Sequence, residues 1–180
     1  MSGDLAQEAA LTAMLAEGPV TRLDLGAGRI TLAVVSGTEP HQVTVLPAGS
    51  FDGVLGHLRH EPALAHELEA AIVEVEDGLM PALRSLHTHR RLLTAAPGMD
   101  QIARAAGAVD PTFVDLDIET VERLFLQLAR LAQGTPAAHL GIPADRGFAA
   151  HLLILREVLH HGGFESVRVF RPGAPPPHTA

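Results

Sequence analysis

Hydrophobic spacing changes period once early in this chain, and that change limits the folds open to it. From Val20 to Leu25, and again from Arg29 to Val35, apolar residues follow the two-residue period of a half-buried strand. Gln42 to Leu46 repeats the pattern, with Val43 and Val45 on one face and Thr44 on the other. The turns Gly26-Ala27-Gly28 and Ser36 to Pro40 separate these runs, so three meandering antiparallel strands are predicted. From Pro62 to Leu86 the period becomes helical: Leu64, Leu68, Ile72, Val75, Leu79 and Leu83 recur at three and four residues. A helix over Phe51 to His60 is expected before it, and Gly78 and Pro81 are expected to bend or interrupt the longer one.

The remainder reads as strand, helices and strand. Leu5, Ala9, Leu11 and Leu15 predict a short opening helix stopped by Gly18 and Pro19. Arg90 to Ala95 is a fourth strand running into Pro97 and Gly98, then a helix over Met99 to Ala106. Asp117 is placed to cap a helix over Ile118 to Ala132, whose Val121, Leu124, Phe125, Leu128 and Leu131 form its apolar stripe. The apolar segment Ala144 to His161 ends at Gly162 and Gly163, and Ser166 to Phe170 is a last strand. This order predicts an α/β domain of the ribonuclease-H-like, actin-like class, with a mixed sheet flanked by helices. Residues 1–170 form the domain; residues 171–180, with four prolines, form a flexible tail.

Composition excludes several function classes. Acidic residues outnumber basic ones 21 to 13, for a formal charge of −8, which disfavours nucleic acid and anionic membranes as partners. Trp and Tyr are absent, so aromatic platforms for bases are not expected. Without cysteine there is no disulfide, thiolate site or cysteine nucleophile. The start, Met1 to Ala16, lacks the basic region of a signal peptide, and no apolar run reaches the length of a membrane span. A cytoplasmic protein is expected.

Three segments, in order, resemble the exopolyphosphatase and guanosine pentaphosphatase family. Asp24-Leu25-Gly26-Ala27-Gly28-Arg29-Ile30-Thr31 is similar to its phosphate loop of Asp, an apolar residue, three glycines, Ser, Thr and Glu. Asp24, Gly26 and Gly28 match; Ala27, Arg29, Ile30 and Thr31 depart. Leu92 to Ile102 stands where the family has a strand and a Gly-Thr-Gly-Gly-Thr loop, with Thr94 and Gly98 retained. Leu140-Gly141-Ile142-Pro143-Ala144-Asp145-Arg146 is similar to its Leu-Pro-Gly-Ile, Pro, Arg-Ala-Asp element. Ser2-Gly3-Asp4 with Glu8 to Leu11 resembles the family's Ser-Gly, Glu-Glu-Ala-Arg-Leu helix, with Ala10 in place of its arginine.

The resemblance implies the second actin-like half of such a phosphatase. It implies Asp24 and Glu8 as catalytic groups, and Gly26, Ala27, Gly28, Arg29, Gly98 and Arg146 as phosphate ligands, with magnesium as cofactor. Glycine turns let backbone amides approach a phosphate without a Cβ in the way, arginine adds a bidentate contact, and Arg146 stands near a helix start. The bland alternatives are a tight hairpin at residues 24–29 and a salt bridge for Arg146. Eleven histidines, among them the pairs His57 with His60, His87 with His89 and His160 with His161, contain no recognised ligand spacing, and no metal-ligand set is predicted from them. The worn loops predict a non-catalytic or weakly active module that binds phosphate, polyphosphate or a phosphorylated nucleotide, or docks a partner. The alternative is a hydrolase releasing terminal phosphate from polyphosphate or guanosine pentaphosphate. Either way the resemblance implies half a cleft, completed by a homodimer or by a separate chain supplying the first half.

Overall fold

The computed structural model describes residues 11–37, 42–86, 91–109 and 113–171. Residues 11–16 are helical. The elements that follow are β1 (Val20–Gly26), β2 (Arg29–Ser36), β3 (Gln42–Ser50), α1 (Phe51–His57), α2 (Ala65–Ser85), β4 (Leu92–Thr94), α3 (Met99–Ala105), β5 (Phe113–Asp117), α4 (Ile118–Ala132), α5 (Ala137–Leu140), α6 (Arg146–Gly162) and β6 (Ser166–Phe170). Among the described residues the strands form one mixed sheet in the order β3-β2-β1-β4-β6-β5. β1, β4 and β6 run parallel at its centre, and β2, β3 and β5 are antiparallel to their neighbours.

The predicted meander is present, and its tight turn has a specific shape. Gly26 pairs with Arg29, leaving Ala27 and Gly28 as a two-residue loop with φ of 51° and 72°. Positive φ at both central positions is the type I′ hairpin, whose twist matches that of the flanking strands. Asp117 and Asp145 each cap a helix, accepting from Thr120 N and Phe148 N at 2.8 Å, and Ser50 caps α1 by accepting from Gly53 N at 2.9 Å.

Three boundaries differ from expectation. β3 continues past Leu46 to Ser50, and α1 stops at His57. α2 runs unbroken through Gly78 and Pro81 from Ala65 to Ser85. Gly78 serves contact instead of a break: a Cβ there would stand 2.5 Å from Gly49 Cα, so the missing side chain is what lets α2 lie directly on β3. β5 was not predicted. Only five residues long, it alternates Asp115 and Asp117 with Val114 and Leu116 at the sheet edge. The fork of Arg168 on Asp115, at 2.7 and 2.6 Å, ties this edge to β6.

The main core lies between one face of the sheet and α1, α2, α3, α4 and α6, with Leu23, Leu32, Leu92, Val167 and Val169 contributing from the strands. A smaller cluster of Val20, Leu93 and Phe170 occupies the other face, packed by Leu11, Met14 and Leu15. Arg171 ends the described chain anchored, its Nε 2.6 Å from Asp100 Oδ1; residues 172–180 of the predicted tail lie outside the described residues. No helix among the described residues is long and apolar enough to cross a membrane.

Candidate functional site

Parallel neighbours deliver their following loops to the same edge of a sheet, where open α/β sheets bind their ligands. β1 and β4 are such neighbours, with Leu23 level with Thr94. The Gly26-Ala27-Gly28 turn and the Pro97-Gly98 loop therefore emerge side by side. Together with Leu25, Phe51, Asp52 and His151 they line one open cleft of about 330 Å³. Two segments far apart in sequence thus meet at one site.

Two side chains that sequence reasoning did not single out shape this cleft. Asp52, in the first turn of α1, presses its carboxylate on Gly28 so closely that a Cβ at Gly28 would collide with it. His151, on α6, lies on Gly98 in the same way, and a Cβ at Gly98 would fall within the imidazole. Phe51 packs beside it, its ring centroid 4.8 Å from that of His151. His151 Nδ1 is 2.7 Å from the carbonyl of Gly147. A carbonyl only accepts, so Nδ1 carries the proton and the neutral ring leaves Nε2 as an acceptor facing Gly98. Burial holds the His151 pKa below the usual imidazole value, although the Gly147 carbonyl and Asp145 oppose the shift. No linear spacing links Asp52 to Gly28, or His151 to Gly98; the contacts exist only once α1 and α6 pack on the sheet.

The expected site residues divide by location. Gly26, Ala27, Gly28 and Gly98 line the cleft. Asp24 is not among its lining residues: its carboxylate accepts from Arg22 Nε at 2.8 Å, and both side chains stand on the sheet face opposite Leu23. Arg29 is exposed at the start of β2, and Arg146 is exposed at the start of α6. Two amides of that helix start are already engaged, Arg146 N with Glu61 Oε1 at 3.2 Å and Phe148 N with Asp145 Oδ1. Glu8 lies outside the described residues, as do His87 and His89.

Asp52 is the one carboxylate among the residues lining the cleft. Magnesium is commonly held by one or two carboxylates together with the oxygens of a bound phosphate. That donor set suits an ion arriving with a phosphorylated ligand and does not make a cage of protein groups alone. A carboxylate and histidine group also occurs elsewhere, where Glu76, Glu157 and His161 bring ligand atoms within 4.8 Å of one another.

The sheet order, the crossing helices and the glycine cleft at the strand ends define a ribonuclease-H-like, actin-like α/β domain. Solved structures of this fold are similar to the chain over nearly its whole length. The Aquifex aeolicus Ppx/GppA phosphatase, in its type II variant, matches with a TM-score of 0.65 at 14% identity over 92% of this chain. Another structure of the Aquifex aeolicus member of the Ppx/GppA family matches with a TM-score of 0.64 at 13% identity over 96%. An exopolyphosphatase-like protein matches with a TM-score of 0.57 at 16% identity over 84%. The chain spans only 57%, 59% and 54% of those three structures, so it is similar to about half of each. No protein-family model matches the sequence, and no curated protein matches it.

Proposed function

We propose that this chain is an exopolyphosphatase-like domain that binds the phosphates of polyphosphate or a phosphorylated nucleotide in the glycine cleft and turns them over weakly or not at all. The observation that carries this reading is the convergence of Gly26, Ala27, Gly28 and Gly98 on one cleft that Asp24 does not line. The Ala27-Gly28 turn offers backbone amides at low steric cost, which supports an anion site. In-line attack on phosphorus needs a group that positions water, and Asp24 is engaged by Arg22 instead. Binding without rapid hydrolysis follows.

A magnesium ion arriving with the phosphate would be held by Asp52 and would neutralise the charge between carboxylate and ligand. Without the ion, Asp52 repels the ligand. Two like charges about 4 Å apart in water cost on the order of 1 kcal/mol. Asp52→Asn is therefore expected to raise magnesium-free affinity for polyphosphate a few-fold and to flatten its dependence on magnesium, as read by titration calorimetry. The opposite wall of the cleft would come from a second copy or a separate chain.

One observation favours the alternative of a hydrolase releasing terminal phosphate: neutral His151 presents Nε2 toward Gly98, as a general base would. Incubating the purified chain with polyphosphate and magnesium, beside an Asp24→Ala variant, separates the readings. The proposal expects binding by both and little phosphate release by either. Substantial release by the parent would replace it with the hydrolase reading, acting through Asp24 if release vanishes in the Asp24→Ala variant and through His151 if it persists there.

A further inference from the structure

The histidines at the junctions of α1, α2, α4 and α6 face glutamates, and one of these contacts is triangular. His57 faces Glu74, and His160 faces Glu122, whose Oε1 also accepts from Arg156 Nε at 2.8 Å. His161 Nε2 instead stands 3.2 Å from Glu76 Oε1 and 3.3 Å from Glu157 Oε2. Glu157 and His161 are four residues apart on one face of α6, and Glu76 comes from α2, which is why linear spacing conceals the group.

The dimensions suit a small divalent cation. Ligands bonded to zinc at about 2.0–2.2 Å in a tetrahedron stand roughly 3.4 Å from one another. Two of the three edges here already have nearly that length. The Glu157 side chain is only 3% exposed, and its other oxygen takes a 2.6 Å bond from Arg156 Nη1. That bond fixes the carboxylate with Oε2 directed at His161, as an outer partner orients a metal ligand. A groove of about 450 Å³, lined by Glu76, Asp77, Arg84 and His161 among others, reaches two of the three ligands and gives an entry path and room for a fourth.

We propose that Glu76 Oε1, Glu157 Oε2 and His161 Nε2 form a zinc-type metal site that pins α2 to α6 and keeps one position open to the groove. One imidazole with two carboxylates favours zinc or cobalt over calcium or magnesium, which take oxygen ligands. The site is separate from the glycine cleft: His161 lies ten residues beyond His151 on the same helix, about 15 Å along its axis. It does not depend on the proposed phosphate binding.

Cobalt(II) titrated into the full chain, followed by zinc competition, tests the assignment. Saturable uptake of one equivalent, with the visible bands of tetrahedral cobalt and a raised melting temperature on zinc addition, is expected. Glu76→Gln and His161→Ala should each weaken uptake by about tenfold or more, while His160→Ala leaves it unchanged. Glu76 and His161 are 41% and 34% exposed, so neither change empties the core, and circular dichroism checks each fold. Absence of saturable uptake, or uptake that survives both ligand variants, would overturn the site.

Discussion

At the scale of residues, the two conspicuous glycines of the cleft answer to packing before they answer to any ligand. Gly98 has ordinary helical backbone angles, so its conformation does not require glycine. What requires it is His151, whose ring is held against Gly98 by the Gly147 carbonyl and by Phe51. Gly98→Ala is therefore expected to destabilise the fold by about 1–3 kcal/mol, the usual cost of overpacking. In a His151→Ala background the same change should cost almost nothing, because the colliding ring is gone. Denaturant unfolding of the four proteins of this cycle measures the coupling, and equal costs in both backgrounds would refute the assignment. Ala27 contributes the opposite kind of strain. It holds φ of 51°, a region costing an L-residue roughly 1–2 kcal/mol, at the tip of the turn where the resembling family has glycine.

Helix and strand existence was largely readable from spacing, and the exceptions have definite causes. The β2 and β3 alternation, the apolar stripe of α4 and the glycine stop after α6 all follow from local periodicity. β5 escaped because its five residues carry two aspartates and draw their support from β6, a partner fifty residues away. Pro62 marked the break between α1 and α2, but spacing did not give the exact ends, His57 and Ala65. Glu67 fixes the start of α2: its carboxylate accepts from Leu64 N at 3.1 Å and His60 N at 3.3 Å and meets His60 Nδ1 at 2.7 Å. Burial alone would raise its pKa, but the bonds from His60 and from the Leu64, His60 and Arg59 amides outweigh it and pull the value to about 2. A carboxylate depressed in the folded state adds stability that is complete above its unfolded value of 4.5 and is lost as pH falls toward 2. The melting temperature should therefore drop through that window more steeply for the parent than for Glu67→Gln. Parallel pH profiles for the two proteins would contradict the role given to this carboxylate.

At the scale of the whole molecule, the fold class was readable because a three-strand meander followed by helices alternating with strands fits a mixed sheet flanked by helices, whereas the strand order, with β5 at its edge, was not. The candidate site was readable only in part. Gly26, Gly28 and Gly98 advertise themselves by type, whereas Asp52 and His151 reach the cleft through tertiary packing that no spacing records. The carboxylate expected to act there, Asp24, alternates onto the other sheet face and pairs with Arg22 two residues away. The chain is similar to about half of each Ppx/GppA structure, and its role as a phosphate-binding domain is our proposal. The most direct test of that account is to titrate short polyphosphate with magnesium into the isotopically labelled 19.0 kDa chain and follow its backbone amides by NMR. Saturable shifts centred on Gly26, Ala27, Gly28 and Gly98 are expected. Shifts that are absent, or that gather on another face of the molecule, would contradict it.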